Sequence, residues 1–367
     1  MIHTRRELFH ASLLAAAASV RPAAAQGKAQ LGMPGLFPGR VVTTHHPAAL
    51  VSGAYQPAAV EQMMHKGMTE LTGAPGWPDA WRAFFEPGDV VAIKVCPVGG
   101  RRICSDSLVL NRIIDGLKQA GVKQGDIFVF NRYRREMFSA GIPQWVPEGV
   151  RLAWASEAYN KVQQDIEGYD PEMFVELALA VPGQDIREER VRRSYVARLL
   201  SKQVNKVINL PVLKHHNAAG VTITLKNLSH GFVNNVERSH PTPTLNATGT
   251  FIPAVLNLPV FREKIVLHIV DGVRAQYEGG PGGRPQFMWE HNTMYFGTDP
   301  VALDKTGWKV IDAKRVEQGL PPVAEAKLSK HNIMVSTQVE HIELSGALGL
   351  GRFDDAAIDV KRFELNA

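Results

Sequence analysis

A chain of 367 residues with 45% hydrophobic and 21% charged residues has an ordinary globular composition, long enough for one large domain or two intimate ones. Its 41 basic and 36 acidic side chains leave a formal charge of +5, spread out and without interleaved aromatics, which excludes a nucleic-acid partner. Two cysteines, Cys96 and Cys104, fall short of the four thiolates of a usual iron–sulfur cluster, so none comes from this chain alone.

The first 26 residues read as an address. Thr4-Arg5-Arg6-Glu7-Leu8-Phe9 has the form of a twin-arginine export signal, followed by an apolar run from Ala11 to Ala18 and a small-residue cleavage site at Ala23-Ala24-Ala25. An Ala-rich signal of the general secretory route is the other reading, and both place the mature protein in the periplasm or otherwise outside the cytoplasm. The expected partner is the twin-arginine machinery. The apolar run is too short for a bilayer about 30 Å thick, so no stable membrane anchor is expected after cleavage. Folded proteins, often ones carrying a cofactor, use that route. Residues 27–40 are a Gly/Pro-rich arm, and 41–367 read as a single α/β domain.

Within that domain Val41 to Thr44 is a short strand, and Ala58 to Thr72 has helical spacing. Asp89 to Val95 reads as a buried strand, Asp106 to Ala120 as an amphipathic helix ended by Gly121, and Ile127 to Phe130 as the next strand, with Asn131-Arg132 at its end. Strand, helix and strand at this spacing form a βαβ unit with a parallel pair. The stretch 141–182 lacks regular periodicity and reads as an irregular insertion. The Arg-rich run from Arg187 to Arg193 alternates in sign, as a solvated face of a helix from Glu188 to Lys202 would. A strand ends at Leu213, a helix covers Phe251 to Phe261, and a central strand from Lys264 to Val270 ends at Asp271-Gly272. Asp299 caps a helix that Pro300 opens and that runs to about Gln318. Val339 to Leu344 and Ala357 to Phe363 are late strands. The fold class is α/β: a mixed, mainly parallel sheet with flanking helices, whose ligands belong beyond the carboxyl ends of the strands.

Chemistry concentrates between Asn209 and Gly231. Lys214, His215 and His216 follow an apolar strand, and Lys226-Asn227 and Ser229-His230 come shortly after. Adjacent histidines on extended backbone point to opposite sides, so only one of the pair faces a given pocket. Lys94 lies within an apolar strand, where its ammonium needs a partner, an anion or a route to the surface. Gly279-Gly280-Pro281-Gly282-Gly283 lets backbone approach a ligand or stands as a surface loop. It is no Walker loop, and no GxGxxG fingerprint follows the first strand. Asp299 and Asp304 lie five apart. For Cys96 and Cys104 a disulfide, two unpaired thiols and a reactive thiol all remain open.

The ordered set NLPVLKHH, AGVTITLKNLSHG, IVDGV with EGGPGG, and GTDPVALD resembles the uncharacterised-domain family numbered 362, often found with ferredoxin-type modules. Ile93-Lys94 and the ending Leu348-Gly349-Leu350-Gly351 fit its pattern, and the resemblance runs over most of residues 41–363. It implies an α/β domain with largely unassigned chemistry. His216 takes the place of the family's Lys-x-His histidine. Val95-Cys96-Pro97 departs from the usual Lys-Pro-Asn-Leu. Members that look like iron–sulfur proteins would hold clusters in cysteine-rich additions, which are absent from this sequence.

The residue types therefore argue the function. Lys94, Lys214 and Lys226, with Asn227, Gly280 and Gly282, suit a carboxylate or phosphate, so the expected ligand is a small anionic molecule. His216, Asp271 and Asp304 are the candidate catalytic groups, with His216 as acid or base and the two acids orienting it. Glu278, Asp271 and His230 are candidate ligands for a divalent metal, whose identity no spacing such as HExxH fixes. The reading is an exported enzyme acting on a small anionic substrate, with metal assistance an open option. The alternative is a non-catalytic periplasmic ligand-binding or accessory protein of a redox system.

Overall fold

The structure, a computed structural model, describes residues 31–160 and 162–366. The signal-like segment 1–26 lies outside the described residues. Alternation of side chains across one mixed sheet sets the architecture. The sheet is built from β1 (Arg40–His45), β2 (Val91–Lys94), β3 (Ile127–Tyr133) and β4 (Arg151–Ser156). After the separate hairpin of β5 (Tyr169–Glu176) and β6 (Arg193–Ala197), it continues with β7 (Lys206–Asn209), β8 (Val212–His216), β9 (Ile265–Gln276), β10 (Met288–Gly297) and β11 (Asp359–Glu364). The order across it is β11-β1-β10-β9-β7-β2-β3-β4. The run from β9 through β7, β2 and β3 to β4 is parallel, and β10 is antiparallel to both its neighbours. The fold is thus α/β with a mainly parallel sheet.

Neighbouring residues of one strand serve opposite faces. Val91 and Ile93 enter one apolar core, with the helices α1 (Pro57–Thr72) and α2 (Ser107–Gln119). Ala92 enters the other core, under α3 (Thr224–Phe232) and the buried side of α4 (Pro300–Glu317). Two helical layers around a sheet follow from that division. At β2 the chain order reverses, since β3 follows directly through α2 on one side and β7 arrives much later on the other. Such a switch point leaves a crevice at the carboxyl ends of the strands.

β7 stops at Asn209, and the chain steps through Leu210-Pro211 into β8. That strand lies parallel to the distal half of the long β9, with Val212 opposite Asp271. Asp299 caps α4, its Oδ1 accepting from Val301 N–H at 3.0 Å and Ala302 N–H at 2.9 Å. Its Oδ2 accepts from the amides of Gly39 and Arg352 (2.9 and 2.8 Å), so the cap also fastens the described part of the arm.

Four expectations need correction. The helix expected over Glu188 to Lys202 is broken into Glu189–Arg192 and a π-helical turn, Leu199–Gln203; β6 lies between them and pairs antiparallel with β5, so tertiary pairing overrides a helical pattern. Of its arginines, Arg187 and Arg190 are exposed as a solvated face requires, while Arg192 and Arg193 are half-buried and both bind Glu176 on β5, at 2.9 and 2.8 Å. The helix expected over Phe251 to Phe261 is two, Thr248–Leu256 and Pro259–Lys264, divided where Pro259 forces Leu258 into extended backbone. The strand expected over Val339 to Leu344 is a helix, His341–Ala347, because the short run Val339-Glu340-His341-Ile342-Glu343-Leu344 fits either period and His341, Ile342 and Ser345 bury one helical face. The insertion near 141–182 is irregular in sequence, yet it contributes β4 as an edge strand of the main sheet and β5 to the hairpin.

Candidate functional site

The crevice at the switch point holds a cavity of about 190 Å³. β2 ends in it with Lys94, β3 with Asn131 and Arg132, and α3 crosses above with Lys226, Asn227, His230 and Gly231. The turn after α3 adds Glu237 and His240, and β8 adds His216. Every residue of α3 is buried. Its first turn is held by Asp304 of α4, which accepts from the Thr224 amide at 2.7 Å, the Leu225 amide at 3.2 Å and the Thr224 hydroxyl. These are amides a helix start otherwise leaves unpaired.

Lys94 is 1% exposed and its ammonium has three neutral acceptors: the Val95 carbonyl (2.6 Å), Asn131 Oδ1 (3.1 Å) and Asn227 Oδ1 (3.2 Å). No carboxylate is among them. Burial therefore pulls its pKa down to about 8. Asn227 is itself fixed, donating to Asn209 Oδ1 at 2.8 Å. Gly231 makes this cradle possible, because a Cβ there would overlap Lys94 Cε and lie 2.8 Å from Nζ.

Lys226 lines the same cavity at 7% exposure, and its ammonium has no hydrogen-bond or ion-pair partner among the described residues. Burial, with Arg132 and Lys214 nearby, lowers its pKa to about 7. Arg132 spends one N–H on the Val233 carbonyl (3.3 Å) and lies over the Tyr133 ring. The two carboxylates of the wall are already engaged: Glu136 by Asn131 Nδ2 at 2.9 Å, and Glu237 by the Tyr159 hydroxyl at 3.1 Å. A neutral donor leaves a carboxylate its charge, so Lys94, Lys226 and Arg132 outnumber the two carboxylates by one charge at most.

Three imidazoles share it. His240 has ring centroids 5.5 Å from His216 and 5.7 Å from His230. Burial, then the charge of Lys226, keeps all three below the usual histidine range, with His240 at about 3. They are neutral at pH 7, so their tautomers can be assigned from their partners. Nδ1 of His216 accepts from the amides of Ala218 (3.1 Å) and Ala219 (3.3 Å), which puts its hydrogen on Nε2. The Ser239 hydroxyl donates to the Val236 carbonyl at 2.6 Å. Both rings beside it must then donate to its oxygen: His230 through Nε2 (3.1 Å) and His240 through Nδ1 (2.7 Å). His240 Nε2 is left as a free lone pair. The wall thus offers one imidazole donor and one imidazole acceptor.

The remaining predicted residues lie elsewhere. Asp271 is fully buried on β9, accepting from the Tyr55 hydroxyl (2.9 Å) and the Asp106 and Val273 amides (3.0 and 3.3 Å); burial raises its pKa to about 7. Neither Asp271 nor Asp304 lines the cavity or orients His216. Glu278 is held by Arg315 with His215 at 3.9 Å, on the side of β8 away from His216. The candidate metal ligands Glu278, Asp271 and His230 therefore do not converge. Among the described residues no group of three or more His, Cys, Asp or Glu is arranged to hold a metal. Lys214 stands one layer back and donates to the Val98 carbonyl. The Gly280 amide donates to His215 Nδ1 at 3.3 Å, and a Cβ there would overlap the His215 carbonyl. The Gly282 carbonyl accepts from Gln276 at 2.9 Å. Of that loop it is Pro281 that reaches the cavity, and the glycines hold it against β8.

Cys96 lines the wall and Cys104 does not; both are free thiols. Sequence reasoning missed Cys96, Glu136, Glu237 and His240 as parts of one wall. Asn131-Arg132 at a predicted strand end was the available signal for its far side.

Fold and cavity together define an α/β protein with a cationic, imidazole-lined crevice at its strand ends. A family model described as a domain of unknown function (DUF362) matches residues 99–309, more than half of the chain, and the chain belongs to that family. It is also similar to a crystal structure of a Thermotoga maritima protein, a structural-genomics target, at 13% sequence identity and a TM-score of 0.35. That likeness covers 59% of this chain and 51% of the other, so the chain spans about half the length of the protein it matches. No curated protein matches the chain. Among the described residues no helix is long and apolar enough to cross a membrane.

Proposed function

We propose that this chain is an exported enzyme that binds a small anionic substrate in the strand-end cavity and moves a proton on it through neutral imidazoles. The observation that carries the reading is the charge balance of the wall. Lys94, Lys226 and Arg132 face a space whose two carboxylates are already engaged by neutral donors. Opposite charges about 4 Å apart attract by roughly 4 kcal/mol at an effective dielectric near 20, enough to select an anion over a neutral molecule of the same shape. His240 Nε2 is the acceptor in reach, and His216 Nε2–H the donor. Burial first, and the Lys226 charge second, hold both rings at low basicity; an arriving anion offsets the second and raises them. Proton transfer is thereby tied to occupancy.

A binding protein without turnover is the second reading, favoured by the low basicity of His240. Calorimetric titration of the mature protein with short mono- and dicarboxylates and with phosphate tests the shared element. The expected result is one site per chain, weakened tenfold or more by Arg132→Met; no anion binding, or indifference to that change, overturns it. Once a substrate is found, His240→Gln separates the readings, since an enzyme loses turnover with binding retained. Export is tested by fractionating cells that express the full chain and the Arg5→Lys, Arg6→Lys variant.

A further inference from the structure

We propose that Lys226 is a nucleophile, forming an imine with an anion that carries an aldehyde or ketone carbonyl, so that the substrate class is the short-chain oxo acids. This rests on the anion-binding reading and deepens it. The Lys226 side chain is buried up to its amine, which opens on the cavity and has no partner among the described residues. Lys94, at the end of β2, spends its three N–H bonds on protein acceptors. The two buried lysines therefore divide the work: Lys94 attracts the anion by charge alone, and Lys226 is left free to react.

The surroundings favour the reactive form of the amine. Arg132 and Lys214 disfavour its protonation, and its pKa of about 7 leaves roughly half of it as free amine at neutral pH. A space of about 190 Å³ admits a three- or four-carbon oxo acid.

The step balances within the site. The Nζ lone pair attacks the carbonyl carbon, a C–N bond forms, and the carbonyl π electrons move to oxygen, which His216 Nε2–H steadies by a hydrogen bond. His240 Nε2 takes one proton from the nitrogen and passes it to that oxygen, giving the hydroxyl. The remaining amine proton follows by the same route as the nitrogen lone pair forms C=N and the hydroxyl leaves as water. Amine and carbonyl give imine and one water, with no oxidant or metal required.

The test incubates the mature protein with pyruvate and sodium cyanoborohydride, then reads intact mass and a peptide map. A single reduced pyruvyl adduct on the peptide containing Lys226 is expected, slowed tenfold or more by excess propionate and absent in Lys226→Arg. Adducts spread over surface lysines with Lys226 unmodified overturn the proposal, as does labelling of Lys226 that propionate leaves unaffected. The propionate competition in the wild-type protein decides the matter even if the variant does not fold. Calorimetry with pyruvate and propionate separates the two levels of inference. Both binding with no adduct sinks the imine and leaves the anion site standing, whereas binding of neither sinks both.

Discussion

Replacing Gly231 by alanine tests the cradle around Lys94. The new Cβ would overlap Lys94 Cε and stand 2.8 Å from Nζ, well inside ordinary contact at about 3.5 Å. Lys94 can yield only by giving up bonds to Val95, Asn131 and Asn227, and charge-assisted bonds contribute about 1.5–3 kcal/mol each. Losing one, with overpacking of about 1–3 kcal/mol, gives an expected destabilisation of roughly 3 kcal/mol. Alanine is otherwise the better helix former by about 1 kcal/mol, so the sign depends on Lys94. In a Lys94→Ala background the same substitution should be neutral or slightly stabilising. Urea denaturation of the four proteins closes the cycle, with an expected coupling of at least about 2 kcal/mol. An equal cost of Gly231→Ala in both backgrounds would refute the packing argument.

Three further outcomes are expected. Asp304→Ala strips the first turn of α3 of its acceptor and should lower stability by about 3 kcal/mol in urea, while weakening anion binding at Lys226; unchanged binding in the folded variant would show that α3 does not need the clamp. Acid should destabilise the protein between pH 6 and 5. Burial holds His215, His240 and His268 at about 3 and His291 and His341 at about 4, so the unfolded chain takes up protons first and stability falls as pH drops below about 6.5. Asp271 and Asp304, raised to about 7, act oppositely, their contribution being full below about 4 and lost as pH rises through 7, but the histidines outnumber them. A urea midpoint at pH 5 equal to or above that at pH 6 would contradict this. Finally, labelling of Lys226 by reductive methylation should level off above pH 7 to 8, well below the pH of about 10 at which a lysine free in solution levels off; a rise that continues to about pH 10 would contradict the depressed amine.

The location of the cavity was legible because it follows from topology. A βαβ unit and a strand ending in Lys-His-His imply a crevice at carboxyl ends, and Lys94, His216, Lys226, Asn227 and His230 all line it. Spacing could not reveal which acids are engaged elsewhere. Asp304 looked catalytic on an inward helix face, yet its oxygens are taken by the start of α3. Asp271 ends its parallel pairing at a promising place, but Tyr55 and Asp106 come from distant segments to occupy it. His240 had no signal at all, because a short turn after α3, outside any periodic element, brings it to the wall. The helix expected over Glu188 to Lys202 failed for a related reason: β6 exists only because β5 is there to pair with it.

The central claim is that the strand-end cavity is an anion site. Anomalous diffraction from crystals soaked in selenate tests it directly, because the selenium reports where an anion settles at buried, fixed cations. The account predicts a selenium peak inside the cavity, in contact with Lys226 and Arg132 and displaced by a short carboxylate. Selenate found only on surface lysines, with the cavity holding ordered water, would contradict it.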